Sequence, residues 1–287
     1  MKSEVMSKST NNSADTIDIK TSNASKPNPW RICPVTQVEE VKLLVRVLPI
    51  WMFSLMFMVH ITQLTSFFLR QGMSMDTSVG PHFKIPPASL TVFNSLTAVA
   101  SVPLYDRYFV PWMRKLTRNE RGISMLQRIG TGLALSTFAM GVAALVEMKR
   151  LRVIEQHGLE DEPAGVPLPM SIFWLLPQYI VFGVSEIFVI LGQIEFFYDQ
   201  APDEMPSIGT ALYTSNTGVA HFLCTAILQI VTSATSRKGG SGWIVNNLNR
   251  CRIDKWYWTL AALGVVNLLC YVAVARWYTY KMVVRRF

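Results

Sequence analysis

Charge is scarce in this chain. Only 16% of its 287 residues are Asp, Glu, Lys or Arg, against about 25% in an ordinary soluble domain. The shortfall arises because apolar residues, 50% of the total, come in long blocks and not in short amphipathic stripes. Those blocks exclude a conventional soluble fold. Cysteine is equally sparse. Cys33, Cys224, Cys251 and Cys270 form no CxxC pair, so neither a zinc site nor a disulfide framework is expected. No Ser/His/Asp set, metal-ligand cluster or phosphate-cradling glycine loop stands clear of the apolar blocks, which argues against an enzyme. A cleavable signal peptide is also missing, because the chain is polar to about Trp30. The first apolar block is therefore expected to act as its own insertion signal. Acidic groups are outnumbered, 19 against 27 Lys and Arg, for a net charge of +8. Next to long apolar blocks, that balance suits anionic lipid headgroups, and nucleic acid is not an expected partner.

What is present is a sequence of six apolar segments after a polar start. Residues 1–29 are rich in Ser, Thr, Asn, Lys and Asp, show no periodicity, and read as a disordered cytoplasmic linker or tail. Residues 30–46 form an amphipathic lead-in. Thr36 and Glu39 match a capping box, and Val38, Val41 and Val45 keep helical spacing. The segments then run over about 47–69, 87–110, 125–147, 170–198, 207–233 and 256–280, within a bundle spanning 47–280. Each approaches or exceeds the roughly 20 residues needed to cross a hydrocarbon core of about 30 Å. Backbone groups cannot stay unpaired in lipid, so all six are expected to be helices. Gly130, Gly132 and Gly141 in the third are placed for close helix packing. The densest basic loop, Arg107 to Arg128, assigns itself to the cytosol. Alternation brings the N-terminal tail, the 199–206 loop and the 281–287 tail to the same side. Arg237, Lys238, Arg250, Arg252 and Lys255 then fall outside, against the rule.

The stretch from Pro167 to Pro202 is the most informative. It is apolar enough to span a bilayer, yet it carries Glu186, Gln193 and Glu195. A carboxylate at membrane depth costs about 2.5 to 3.5 kcal/mol on insertion scales, so it is expected to face a partner or a cavity, and it can pair with an ammonium group or take a proton. Gln193 lies two helical turns beyond Glu186 and shares its face, with Phe197 close to the same line. Glu195 is half a turn away and is expected to face another helix or the cytosolic interface. In the fifth segment Tyr213, Asn216 and Thr217 share a face, either lining a cavity or bonding helices together.

A set of strings, in order along the chain, carries a resemblance. They are VTQVEEVKLLVRVLPIW (35–51), FKIPPASL (83–90), PLYDR (103–107), LQRIGTGLAL (126–135), AALVEMKR (143–150), GQIEFFYDQAP (192–202), SGWIVNNLNR (241–250) and YWTLAALGVVNLL (257–269). They resemble the plant nitrate/peptide transporters, the proton-coupled oligopeptide transporter branch of the major facilitator superfamily. The resemblance implies an all-α membrane protein of six transmembrane helices, the C-terminal half of a twelve-helix fold. It also implies that a first six-helix half is missing, since the family's ExxER motif does not occur here. A truncated gene product or an incomplete gene model is the expected explanation.

The resemblance also assigns candidates. Glu186 matches a cavity-facing glutamate of the family's tenth helix, which in peptide-transporting members helps bind the peptide amino terminus. Asn94 matches a cavity-facing asparagine, with an interhelical hydrogen bond as the alternative. His60 lies one residue from the position, Ile61 here, where some nitrate-transporting members hold the anion on a histidine. It is either re-aimed into the site or a polar residue packed against a neighbour. Asp106 and Arg107 resemble the superfamily's cytoplasmic Asp-Arg motif, which biases the conformational switch. The substrate and proton candidates are thus Glu186, Gln193, Asn94, Tyr213, Asn216 and His60, and the gating candidates Asp106 and Arg107. No cofactor is expected, a proton gradient being the driving force. The implied function is symport of nitrate, short peptides or related small solutes at the plasma or vacuolar membrane. The alternative is a non-transporting paralogue that associates with full-length transporters and modulates them.

Overall fold

A computed structural model of the chain describes residues 35–117, 123–160, 168–201, 207–236, 242–244 and 247–278. The expected linker (1–29) and C-terminal tail (281–287) lie outside the described residues. Two units divide at Glu39 and Glu40. Of the first, only the opening turn of a helix, residues 35–39, is described, and the architecture below is that of the second.

Six helical stretches are long and apolar enough to cross a membrane: Val38–Ser74, Pro87–Lys115, Met125–His157, Ile172–Gln200, Ser207–Ser236 and Ile253–Trp277. The first combines α1 (Val35–Thr65) and α2 (Phe67–Ser74). Helix α1 is already under way at Val35, one residue ahead of the Thr36 expected to cap it, and it runs through Pro49. It breaks at Thr65 and Ser66, where both hydroxyls donate to the Thr62 carbonyl (3.4 and 2.8 Å). Such back-bonding competes with the helical ladder and bends it. The second stretch contains α3 (Leu90–Leu104), a π turn over Tyr105–Phe109, and α4 (Val110–Thr117). Pro103 and Pro111 bracket the turn, and each lacks the amide that a regular ladder needs.

Helix α5 (Met125–His157) is the spine. Ser124 starts it with a complete capping box: its hydroxyl accepts from Gln127 N (3.2 Å) and its amide donates to Gln127 Oε1 (3.0 Å). Gly158, at φ +64°, ends it in the left-handed conformation that glycine adopts without penalty. The helix thus runs ten residues beyond the end expected from the apolar block. Helix α6 (Leu176–Gln200) follows a 3-10 turn, Ile172–Leu175, and α7 (Ser207–Ser236) and α8 (Ile253–Trp277) complete the bundle. Helix α5 packs against both α6 and α8, and α3 against α6. At Gly132 a side chain would collide with Val189 and approach the Ser185 carbonyl at 3.0 Å, so glycine sets the α5–α6 distance. Gly130 faces only the Tyr271 ring, and Gly141 meets nothing within 4 Å, so the expected packing role does not extend to it.

The core lies among α1, α2, α5, α6 and α8. Phe68 is at its centre, edge-on to Tyr179 (5.7 Å), Phe182 (5.9 Å) and Tyr257 (5.4 Å). Helix α7 is barely covered; only Gly209, Asn216 and Ala220 along it are buried. Two short sheets decorate the loops. β1 (Met75–Asp76) pairs in parallel with β4 (Leu168–Ser171), and β2 (Ser78–Val79) pairs antiparallel with β3 (Phe83–Lys84).

Candidate functional site

Glu186 is half-buried near the middle of α6, and its Oε2 accepts a 2.8 Å hydrogen bond from Asn94 Nδ2 on α3. Gly183, one turn earlier on α6, makes this contact possible. A side chain there would lie 2.6 Å from the Asn94 carbonyl oxygen and 2.8 Å from Thr97 Cβ, so the two backbones approach closely only because the position is glycine. Tyr213, half-buried on α7, lies within electrostatic range of the Glu186 carboxylate. Helix α7 is fixed at this level by Trp51, whose indole N–H donates to the Leu212 carbonyl (2.8 Å). The structure therefore brings Glu186, Asn94 and Tyr213 together from three helices. A carboxylate with one amide donor and a nearby phenol can bind an ammonium group or exchange a proton.

The remaining candidates separate from this trio. Gln193 and Asn216 are both 0% exposed, and among the described residues neither amide has any hydrogen-bond partner. Helix α7 comes close to α6 one turn beyond Gln193. At Gly209 a side chain would lie 2.8 Å from the Phe197 carbonyl oxygen, and Phe197 itself is buried. Thr217, expected on the same face as Asn216, is exposed. His60 is buried between helices: Nδ1 lies 3.2 Å from Ser136 Oγ on α5 and Nε2 lies 3.3 Å from the Leu260 carbonyl on α8. The ring is thus packed against Ser136 and the Leu260 carbonyl. Glu195 faces α5, where it pairs with Arg128 Nη1 at 2.8 Å.

That pair belongs to a cluster at the end carrying the basic loop. Arg128 Nε also donates to Tyr105 Oη (3.0 Å), and its guanidinium lies over the Tyr105 ring at 4.9 Å. Tyr105 in turn stacks on Phe109 and meets Phe188 edge-on, both at 5.2 Å. Asp106 and Arg107, the gating candidates, are exposed on the π turn; the neighbouring Tyr105 is the residue that joins the helices. Tyr105 and Arg128 stand in the sequence only as the neighbour of the Asp-Arg pair and the end of the basic loop, and their mutual contact is not legible there.

A second cluster, at the opposite end, was missed altogether. Glu147 and Arg150 on α5 are fully buried and joined by two bonds, Nη2 to Oε1 at 2.6 Å and Nε to Oε2 at 2.8 Å. Gln71 Nε2 donates to Glu147 (2.5 Å), and Gln71 Oε1 accepts from Tyr257 Oη (3.0 Å). Arg150 further donates to Ser74 Oγ (3.3 Å) and the Leu248 carbonyl (3.2 Å). Four elements are thereby tied at one end: α2, α5, α8 and the loop before α8. The signal available was a glutamate and an arginine at i, i+3 inside an otherwise apolar span.

Comparison with known proteins places this geometry. The POT family model matches residues 1–244. Among curated proteins the chain is similar to Protein NRT1/PTR FAMILY 5.4 of Arabidopsis thaliana, 49% identical over 88% of this chain and 45% of the relative. It is also similar to Protein NRT1/PTR FAMILY 8.2 of the same plant, 44% identical over 90% of this chain and 45% of the relative. The chain thus spans about half the length of the curated relatives it matches. Among solved structures, an auto-inhibited POT family peptide transporter superposes with a TM-score of 0.66 at 22% identity, over 88% of this chain and 44% of the other. The POT family transporter PepTSo superposes at 0.65 and 20%, over 85% and 43%. At those identities the likeness shows the fold alone, that of somewhat under half of each matched chain.

Proposed function

Because the chain belongs to the POT family and is an integral, multi-pass membrane protein, we propose that it forms the second six-helix half of a proton-coupled symporter for nitrate, short peptides or related small solutes. The observation that carries this reading is the Glu186–Asn94 hydrogen bond, a half-buried carboxylate held by a buried amide within an apolar bundle. Substrate sites in such transporters lie near the midplane between two halves. A first half facing α3 and α7 completes the cavity. Protonation of Glu186 and binding of solute together favour one side-facing state, and the halves rock about the site. No cofactor takes part; the proton gradient of the plasma or vacuolar membrane drives uptake.

The test is uptake of a panel of nitrate, dipeptides and tripeptides at acidic and neutral pH by the twelve-helix protein containing this half, with Glu186→Gln alongside. The acid-stimulated component is expected to fall at least tenfold in the variant. Unchanged uptake removes Glu186 from the mechanism. A second reading rests on the apolar side chains exposed along α3 and α7: the chain acts without transporting, by associating with full-length relatives. Acid-stimulated uptake by the 287-residue chain expressed alone contradicts that reading.

A further inference from the structure

The end of the bundle that carries the basic loop also carries two grooves, one on each flank of α8. The first, between α1 and α8, encloses about 540 Å³ and is lined by Pro49, Ala273, Val274, Trp277 and Tyr278, with Arg46 as its one charged residue. The second, between α5 and α8, encloses about 440 Å³ and is lined by Gly130, Thr131, Val272 and Ala275 among others, with Arg276 as its one charged residue. Both arginines are exposed, and among the described residues no hydrogen bond or ion pair reaches either. Trp277, which follows Arg276 in sequence and lines the first groove, is 90% exposed.

We propose that the end of α8 is a docking surface for anionic phospholipid of the cytoplasmic leaflet, with one headgroup phosphate on Arg46 and another on Arg276. Charge complementarity selects the occupant. A groove lined mainly by apolar groups accepts an acyl chain, and a guanidinium without a carboxylate partner presents parallel N–H donors to a phosphate. The exposed indole of Trp277 belongs at headgroup level, where tryptophan is enriched. The leaflet follows from the basic 107–128 loop at the same end, since anionic lipid concentrates on the cytoplasmic face. A zwitterionic headgroup adds a cation next to each arginine and is disfavoured. The inference depends on this orientation and not on transport activity, so it stands or falls separately from the proposed function.

Native mass spectrometry tests it. The chain is released from mixed micelles containing equal phosphatidylcholine and phosphatidylglycerol, and the retained lipids are counted. Phosphatidylglycerol is expected to exceed phosphatidylcholine by about fivefold or more, the preference a basic residue near an anionic surface confers. Arg46→Gln and Arg276→Gln are each expected to lose one retained lipid, and the double variant to fall to parity. Lys115→Gln, an exposed cation at the same end, is expected to change nothing. Parity in the natural chain, an unchanged double variant, or an equal loss in Lys115→Gln each overturns the proposal. So does a preference that emerges only after residues 1–34 are deleted, because the chain's own segment then covers the groove. The single variants keep the question decidable if the double variant fails to fold.

Discussion

Polar residues inside this bundle fall into two energetic kinds. Glu147 and Arg150 are fully buried and mutually paired. Removing one partner strands the other's charge away from water, which costs about 3 to 5 kcal/mol. Glu147→Gln and Arg150→Met are therefore each expected to lower the thermal unfolding midpoint of the purified chain strongly. The double change Glu147→Leu with Arg150→Met leaves no stranded charge and is expected to recover part of the loss. Gln193 and Asn216 are the opposite kind, buried with no described partner. An unsatisfied buried amide costs about 1 to 3 kcal/mol. Gln193→Leu is thus expected to leave the unfolding midpoint unchanged or to raise it. A clear drop in that midpoint would mean that the amide is satisfied by water inside the bundle.

At the scale of elements, close approaches and terminal clusters hold the helices in place. A methyl group at Gly183 collides with the α3 backbone. Gly183→Ala is expected to cost about 1 to 3 kcal/mol and to separate Asn94 from Glu186, read as lower thermal stability together with weaker acid-stimulated uptake in the complete transporter. Arg128→Gln is expected to accelerate hydrogen exchange over the π turn at residues 105–109, because it removes the guanidinium that joins Tyr105 to Glu195. The existence of the six spans was legible in their apolar blocks. Their ends were less so. The residues around Glu147, Lys149 and Arg150 look like a loop by charge, yet α5 continues through them because the pair is internally satisfied and Lys149 lies over the Trp174 ring. Glu195 could be turned away from Glu186 by counting residues, but its partner could not be named, since Arg128 lies 67 positions away. Of the positive charges that ran against the inside rule, Arg252 pairs with Asp254 (3.2 Å) and Lys255 lies 5.2 Å from the Trp243 ring, contacts that residue counting along the sequence does not supply.

The whole molecule is covered unequally. Helices α5 and α6 are half-buried or better along their most apolar windows, whereas the corresponding window of α7 is 6% buried and those of the α3 stretch and of α8 each lie at 22%. Large apolar side chains such as Leu96, Val99, Phe222 and Ile230 are exposed on α3 and α7. An affinity-tagged version of the chain is expected to co-precipitate a separately expressed first six-helix half of a family member, and Leu96→Asp with Val99→Asp is expected to weaken that recovery. The seam between α3 and α6 has a further consequence. At the level of Glu186 the two backbones leave no room even for one additional carbon atom at Gly183. A small molecule therefore has no passage to the Glu186 carboxylate between those two helices at this level.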